Sequence, residues 1–93
     1  MPPTLLSADQ VQAGLHELKG WSFQGNAISK KVELKDFVRA MGFVTSVALL
    51  AEGMDHHPDI DIRWNRVMLT LSTHSAGGVT ENDFKLAKAI DGL

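Results

Sequence analysis

The chain has no cysteine, so it has no disulfide framework, no thiolate metal site and no sulfur nucleophile. It has no basic excess either: nine Lys plus Arg stand against eleven Asp plus Glu, a formal net charge of -2. Nucleic-acid binding normally rests on a basic footprint, and none is supplied here. The basic cluster Lys30-Lys31 with Lys35 reads as a solvated strand end. No uninterrupted apolar run approaches the ~18 residues of a membrane span. Met1-Pro2-Pro3-Thr4 lacks the charged and apolar regions of a signal peptide, so the expected location is the cytoplasm. Also missing are internal repeats, linkers and a Gly-x-Ser-x-Gly elbow, and Gly77-Gly78 has neither the spacing nor the Lys of a phosphate loop. What remains is 93 residues, 44% hydrophobic and 22% charged, which fit one small domain over residues 1–93. A chain this short buries about 60–65% of its unfolded surface. Its stability is therefore marginal unless something helps, and with no disulfides the aids left open are self-association and a metal held by some of the four histidines.

Periodicity and capping signals lay out the elements. Ser7 with Gln10 three residues on forms a capping box, and Leu6 with Val11 a hydrophobic staple, so a helix starts here and runs toward Gly20. Trp21 to Phe23, the turn signal Gln24-Gly25-Asn26 and the alternating Ala27–Leu34 read as a β-hairpin. From Asp36 to Met54 the spacing predicts a long helix with two adjacent apolar stripes. One holds Phe37, Met41, Val44, Ala48 and Ala51; the other holds Phe43, Val47, Leu50 and Met54. So much apolar surface exceeds what one sheet face covers, and the second stripe is the expected contact with another copy. Ile60, Ile62 and Trp64 alternate with Asp59, Asp61 and Arg63 as a half-buried strand, Asn65-Arg66 reads as its turn, and a further strand runs from Val67 toward His74 until Gly77-Gly78 breaks it. Thr80 caps a last helix, with Asp83 at its third position and Val79 and Phe84 as staple. The fold class is therefore α+β: a four-stranded antiparallel sheet with three helices on one face, in the order α-β-β-α-β-β-α.

Chemistry, if present, belongs to histidines. His16 has no acidic partner nearby and reads as a surface residue. His56 and His57 lie where Pro58 disfavours helical geometry, in a loop between helix and strand. Such loops carry catalytic groups, although two imidazoles on a plain surface loop would look the same. His74 ends a strand beside a glycine pair, where it either bonds a neighbouring carbonyl or faces a ligand. Asp83 is either only a cap or also a carboxylate that orients His74. Adjacent histidines converge poorly on a metal ion, so acid–base work by groups titrating near neutrality is the sharper expectation.

Taken together, Glu52, His56-His57-Pro58, Trp64, His74 and Asp83, at intervals of three, five, nine and eight residues, resemble the signature of the pterin-4a-carbinolamine dehydratases. Leu71-Ser72-Thr73-His74, Gly77-Gly78-Val79-Thr80 and Ala40-Met41-Gly42-Phe43 resemble the family as well. The resemblance implies conversion of 4a-hydroxytetrahydropterin, made by aromatic amino acid hydroxylases, to quinonoid dihydropterin plus water. It implies His56, His57 and His74 as catalytic; the chemistry of losing a hydroxyl and a proton from one ligand then makes His57 and His74 the expected proton-transfer pair, with His56 positioning or stabilising charge. It implies substrate contacts from Asp55, Pro58, Ser72 and Thr73, and support from Glu52, Trp64 and Asp83. No metal or cofactor is implied. The partners it implies are the pterin, the hydroxylase that supplies it and further copies in a dimer or tetramer. Relatives also serve as a transcriptional dimerisation cofactor or as an enzyme-assembly factor, so a non-catalytic interaction protein on this fold is the alternative. Asp55 stands where many members have Asn, and its charge beside His56 should favour an imidazolium.

Overall fold

The computed structural model describes residues 3–93. The elements are α1 (Ala8–Leu15), β1 (Ser22–Gln24), β2 (Ala27–Glu33), α2 (Phe37–Met54), β3 (Asp59–Arg63), β4 (Arg66–Leu71) and α3 (Glu81–Asp91), with a 3-10 turn at His74–Ala76. The strands pair antiparallel in the order β1-β2-β4-β3, and the fold is the expected α+β arrangement. Strand period decides the layers. The register sets Ile28 against Leu71, Val32 against Val67 and Ile60 against Leu69, which puts these side chains on one face. Ile28, Val67, Leu69 and Leu71 are fully buried there beneath Val11, Val47, Ala51, Leu86 and Ile90 of the helices. Ser29, Lys31, Asp61, Met68 and Thr70 alternate to the uncovered face. The hairpin β1–β2 turns through Gly25-Asn26, where Gly25 takes φ 62, a conformation glycine adopts at little cost.

Both capping boxes form as read: Ser7 with Gln10, and Thr80 with Asp83. Asp36 caps α2 by accepting from Arg39 N at 2.8 Å. Several boundaries differ from expectation for identifiable reasons. Helix α1 stops at Leu15 rather than near Gly20, because Lys19 N donates to Asp91 Oδ2 at 2.9 Å and pulls the chain across the end of α3. Lys30 is not a solvated strand end: it sits on the covered face and pairs with Asp91 at 2.8 Å. The β3–β4 turn is Trp64-Asn65, not Asn65-Arg66, since Arg63 pairs with Arg66. Asn65 is fastened to Leu34 by Leu34 N to Asn65 O at 2.8 Å and Asn65 Nδ2 to Leu34 O at 2.9 Å. That fastening leaves Trp64 65% exposed at φ 54 instead of half-buried with Ile60 and Ile62. Strand β4 ends at Leu71 rather than at His74, because residues 73–78 close on themselves through Thr73 N to Gly78 O at 2.7 Å.

The apolar stripes of α2 also sort differently. Val47, Ala40 and Ala51 are buried, with Phe43, Val44 and Leu50 packed beside them. The second stripe therefore faces this chain's own core, Met54 at the helix end excepted. The outward arc instead carries Val38 and Leu49, 70% and 71% exposed, with Phe37 and Met41 at its flank. Sequence spacing defined both arcs but not which one the sheet would cover. By length and composition α2, with a mean hydropathy of 1.4, is long and apolar enough to cross a membrane. Here its inner arc packs on β4 and α3.

Candidate active site

The C-terminus of α2 sets up the first part of the site. Asp55 takes the left-handed conformation, φ 50 and ψ 43, and ends the helix. Its N–H bonds Glu52 O at 3.1 Å, and His56 N–H bonds Ala51 O at 3.0 Å. This termination leaves Glu52 on the last turn and throws His56 and His57 to different sides of the chain. His57 stays largely exposed and bonds Glu52 Oε1 through Nε2 at 2.7 Å. The Glu52 hydrogen bond raises the His57 pKa above the ordinary histidine value; partial desolvation opposes it, and the charges of Glu52 and Asp55 add to it. The Asp55 charge thus acts on His57, where the sequence pointed to His56.

His56 turns inward, its side chain 12% exposed, and its Nε2 lies 2.5 Å from Asp83 Oδ1. Asp83 is completely buried. Its other oxygen accepts from the Thr73 hydroxyl at 2.9 Å and from Thr80 N at 2.8 Å. Thr73 and Thr80 hydroxyls are 2.8 Å apart. A carboxylate can only accept in its contacts with His56, Thr73 and Thr80 N, so His56 Nε2 is the donor and Nδ1 is the ring nitrogen that Asp83 does not hold. The helix cap and the histidine orienter are therefore one residue. The histidine it orients is His56, not His74 as the strand-end reading suggested.

His74 opens the 3-10 turn immediately after Thr73 and is exposed. Ser72 and Pro58 are half-buried, and Asp55 is exposed. Thr73 is only 6% exposed, its hydroxyl turned into the Asp83 network rather than outward. Trp64 lies at the far end of β3, about 17 Å of strand from the His-His-Pro loop at ~3.3 Å per residue, and does not reach this cluster within the chain. Thr80 caps α3 and also belongs to the cluster. Its position three residues before Asp83 was visible in sequence; its contact with Thr73 needed the 73–78 loop to fold back. Among the described residues, no group of three or more His, Asp or Glu converges as a metal site. A groove of about 420 Å³ lined by Leu6, Gly14 and Phe84 lies between α1 and α3 and holds none of these histidines.

The arrangement supplies two imidazoles, each anchored by Nε2 on a carboxylate, and a third, exposed one on the residue that follows Thr73. Such a set can deliver a proton to one atom of a ligand and remove one from another.

The family model described as Pterin 4 alpha carbinolamine dehydratase matches residues 4–93. A relative from Roseiflexus sp. (strain RS-1), provisionally named pterin-4-alpha-carbinolamine dehydratase, is 52% identical over 88 residues, 95% of each chain. One of the same provisional name from Sulfolobus acidocaldarius is 45% identical over 92% of this chain and 94% of its own. Among solved structures, a transcriptional coactivator/pterin dehydratase from Brucella melitensis matches with TM-score 0.90 and 40% identity, covering 94% of this chain and 95% of that one. A pterin dehydratase-like protein described as a RuBisCO assembly factor in the alpha-carboxysome shares the fold, with TM-score 0.68 at 23% identity over 80% of this chain and 88% of its own.

Proposed function

Because this chain belongs to the pterin 4 alpha carbinolamine dehydratase family, we propose that it dehydrates 4a-hydroxytetrahydropterin to quinonoid dihydropterin. The step returns the pterin cofactor of aromatic amino acid hydroxylases to use, and the cytoplasm suits it. His57, whose pKa the Glu52 hydrogen bond raises, donates in its imidazolium form to the C4a hydroxyl as the C–O bond breaks and water leaves. A second imidazole, His74, takes the proton from N5, whose electron pair forms the new double bond to C4a. His56 presents Nδ1 to the ligand while Asp83 holds its other nitrogen. A positioned acid or base is worth roughly 10²–10⁴-fold. No metal or organic cofactor enters the scheme. Asp55, Pro58 and Ser72 border the ligand; Thr73 contributes no hydroxyl to it.

The observation that carries this reading is the pair of carboxylate-anchored imidazoles, His57 on Glu52 and His56 on Asp83, at 2.7 and 2.5 Å. The test generates the 4a-carbinolamine with a hydroxylase and follows quinonoid formation with and without the protein. Acceleration over the spontaneous rate is expected, lost about 10²-fold or more in His57→Ala. No acceleration by folded protein ends the reading. His74→Ala tests the second role, and a comparable loss of rate in folded protein is expected.

One observation favours a second reading, a partner-binding or assembly protein on the same fold: the outward arc of α2 with Val38 and Leu49 bare. A second copy of this chain is the occupant we assign to it, and that makes the enzyme a homo-oligomer rather than excluding catalysis.

A further inference from the structure

Thr73 ties the two halves of the site together. Its main chain closes the loop that carries His74, with Thr73 N donating to Gly78 O at 2.7 Å and Thr73 O accepting from Ala76 N and Gly77 N at 3.0 Å each. Its side chain points the other way, into the network that holds His56. Thr80 Oγ1 accepts from Asn82 N at 3.2 Å, which leaves the Thr80 proton free for Thr73 Oγ1 at 2.8 Å. Thr73 in turn donates to Asp83 Oδ2 at 2.9 Å, and Asp83 Oδ1 receives His56 Nε2. The hydrogen bonds thus run in one direction, from Thr80 through Thr73 to the carboxylate. Asp83 and Thr80 are completely buried and Thr73 nearly so, so no bulk water replaces a missing donor.

We propose that Thr73 is a positioning residue. Its hydroxyl fixes the Asp83 carboxylate with Oδ1 toward His56, which sets the His56 tautomer with Nε2 protonated and Nδ1 turned to the ligand. The same residue sets His74, its neighbour in the chain, in register with His56. This deepens the dehydratase reading and rests on it for its kinetic consequence. The resemblance implied Thr73 as a substrate contact; the geometry points to an inward role.

The two roles separate by experiment. Thr73→Val keeps the shape and removes the hydroxyl, whereas Thr73→Ser keeps the hydroxyl. For a positioning residue, Thr73→Val lowers kcat about tenfold or more, as expected for one lost hydrogen bond to a charged group, with KM within about twofold. Thr73→Ser restores kcat. Nitrogen-15 NMR of the imidazoles, taken without substrate, should show His56 protonated at Nε2 in the unchanged chain and in Thr73→Ser, and a mixture of tautomers in Thr73→Val. If the valine variant does not fold by circular dichroism, Thr73→Ala removes the hydroxyl with less crowding. A raised KM at unchanged kcat makes Thr73 a substrate contact and overturns the proposal, as does a His56 tautomer indifferent to the hydroxyl. If the unchanged chain shows no dehydratase activity, the functional reading fails while the NMR result still decides the role of Thr73.

Discussion

His57 titrates in the field of two carboxylates, one bonded and one on the residue that ends α2. A raised pKa keeps the imidazolium to higher pH, so activity that depends on it as an acid should fall only on the alkaline side. Glu52→Gln removes the largest cause and should move that alkaline limb to lower pH, with the acid limb in place. Asp55→Asn should move it the same way but less. The measurement is kcat against pH for the three chains; an alkaline limb common to all would show that His57 is not the acid. At this scale the sequence was informative about residue types and less so about pairings. Glu52 and His57 are five residues apart at a helix end, close enough to pair once the helix terminates. His56 and Asp83 are 27 residues apart and meet only because the last helix packs beside the end of α2.

Between elements, Asp91 holds the end of α3 to the chain leaving α1 and to β2. Its carboxylate accepts from Lys19 N, Trp21 Nε1 and Lys30 Nζ at 2.8–2.9 Å. Partial burial would raise its pKa, but these donors prevail and lower it. A lowered folded-state pKa means stability that is present above the ordinary carboxylate range and is lost as acid protonates Asp91 in the folded state. Asp91→Ala leaves Lys30 and Trp21 without partners and should cost about 2–3 kcal/mol at neutral pH. Urea unfolding at pH 7 and pH 3 checks both: the variant's deficit should shrink at the lower pH. Helices α1 and α3 also meet at Gly14, where an added Cβ would lie 2.7 Å from the Phe84 ring. Gly14→Ala should therefore cost about 1–3 kcal/mol despite alanine's better helix propensity, read as a lower thermal midpoint. A gain in stability would mean that Phe84 moves aside freely. The capping boxes, the hairpin and the long helix were legible because caps and periodicity are local. The short α1, the shifted β3–β4 turn and the early end of β4 were not, since each is set by a partner distant in sequence: Asp91, Leu34 and Gly78.

For the molecule as a whole, the question raised by composition was what completes so small a core. Sheet and helices bury Val47, Leu69, Leu71 and Leu86 within one chain, yet the outer arc of α2 stays apolar. A second copy on that arc predicts a dimer or larger by light scattering, and Leu49→Glu should shift it toward monomer at micromolar concentration. A monomer in the unchanged chain would leave the arc to another partner. Because Glu52 stands on the same helix, kcat measured in the monomeric variant also reports whether assembly matters to the site.

The sequence by itself determined the α+β order, the caps, the strand faces and the set of histidines and acids, because these follow from period, spacing and residue chemistry along the chain. The tertiary structure alone decided that Asp83 serves His56, that Thr73 faces inward, that Lys30 is paired on the helix-covered face of the sheet and that the outer rather than the expected arc of α2 is bare. Those four outcomes depend on which surfaces meet across the core, and on burial that only the packed molecule has.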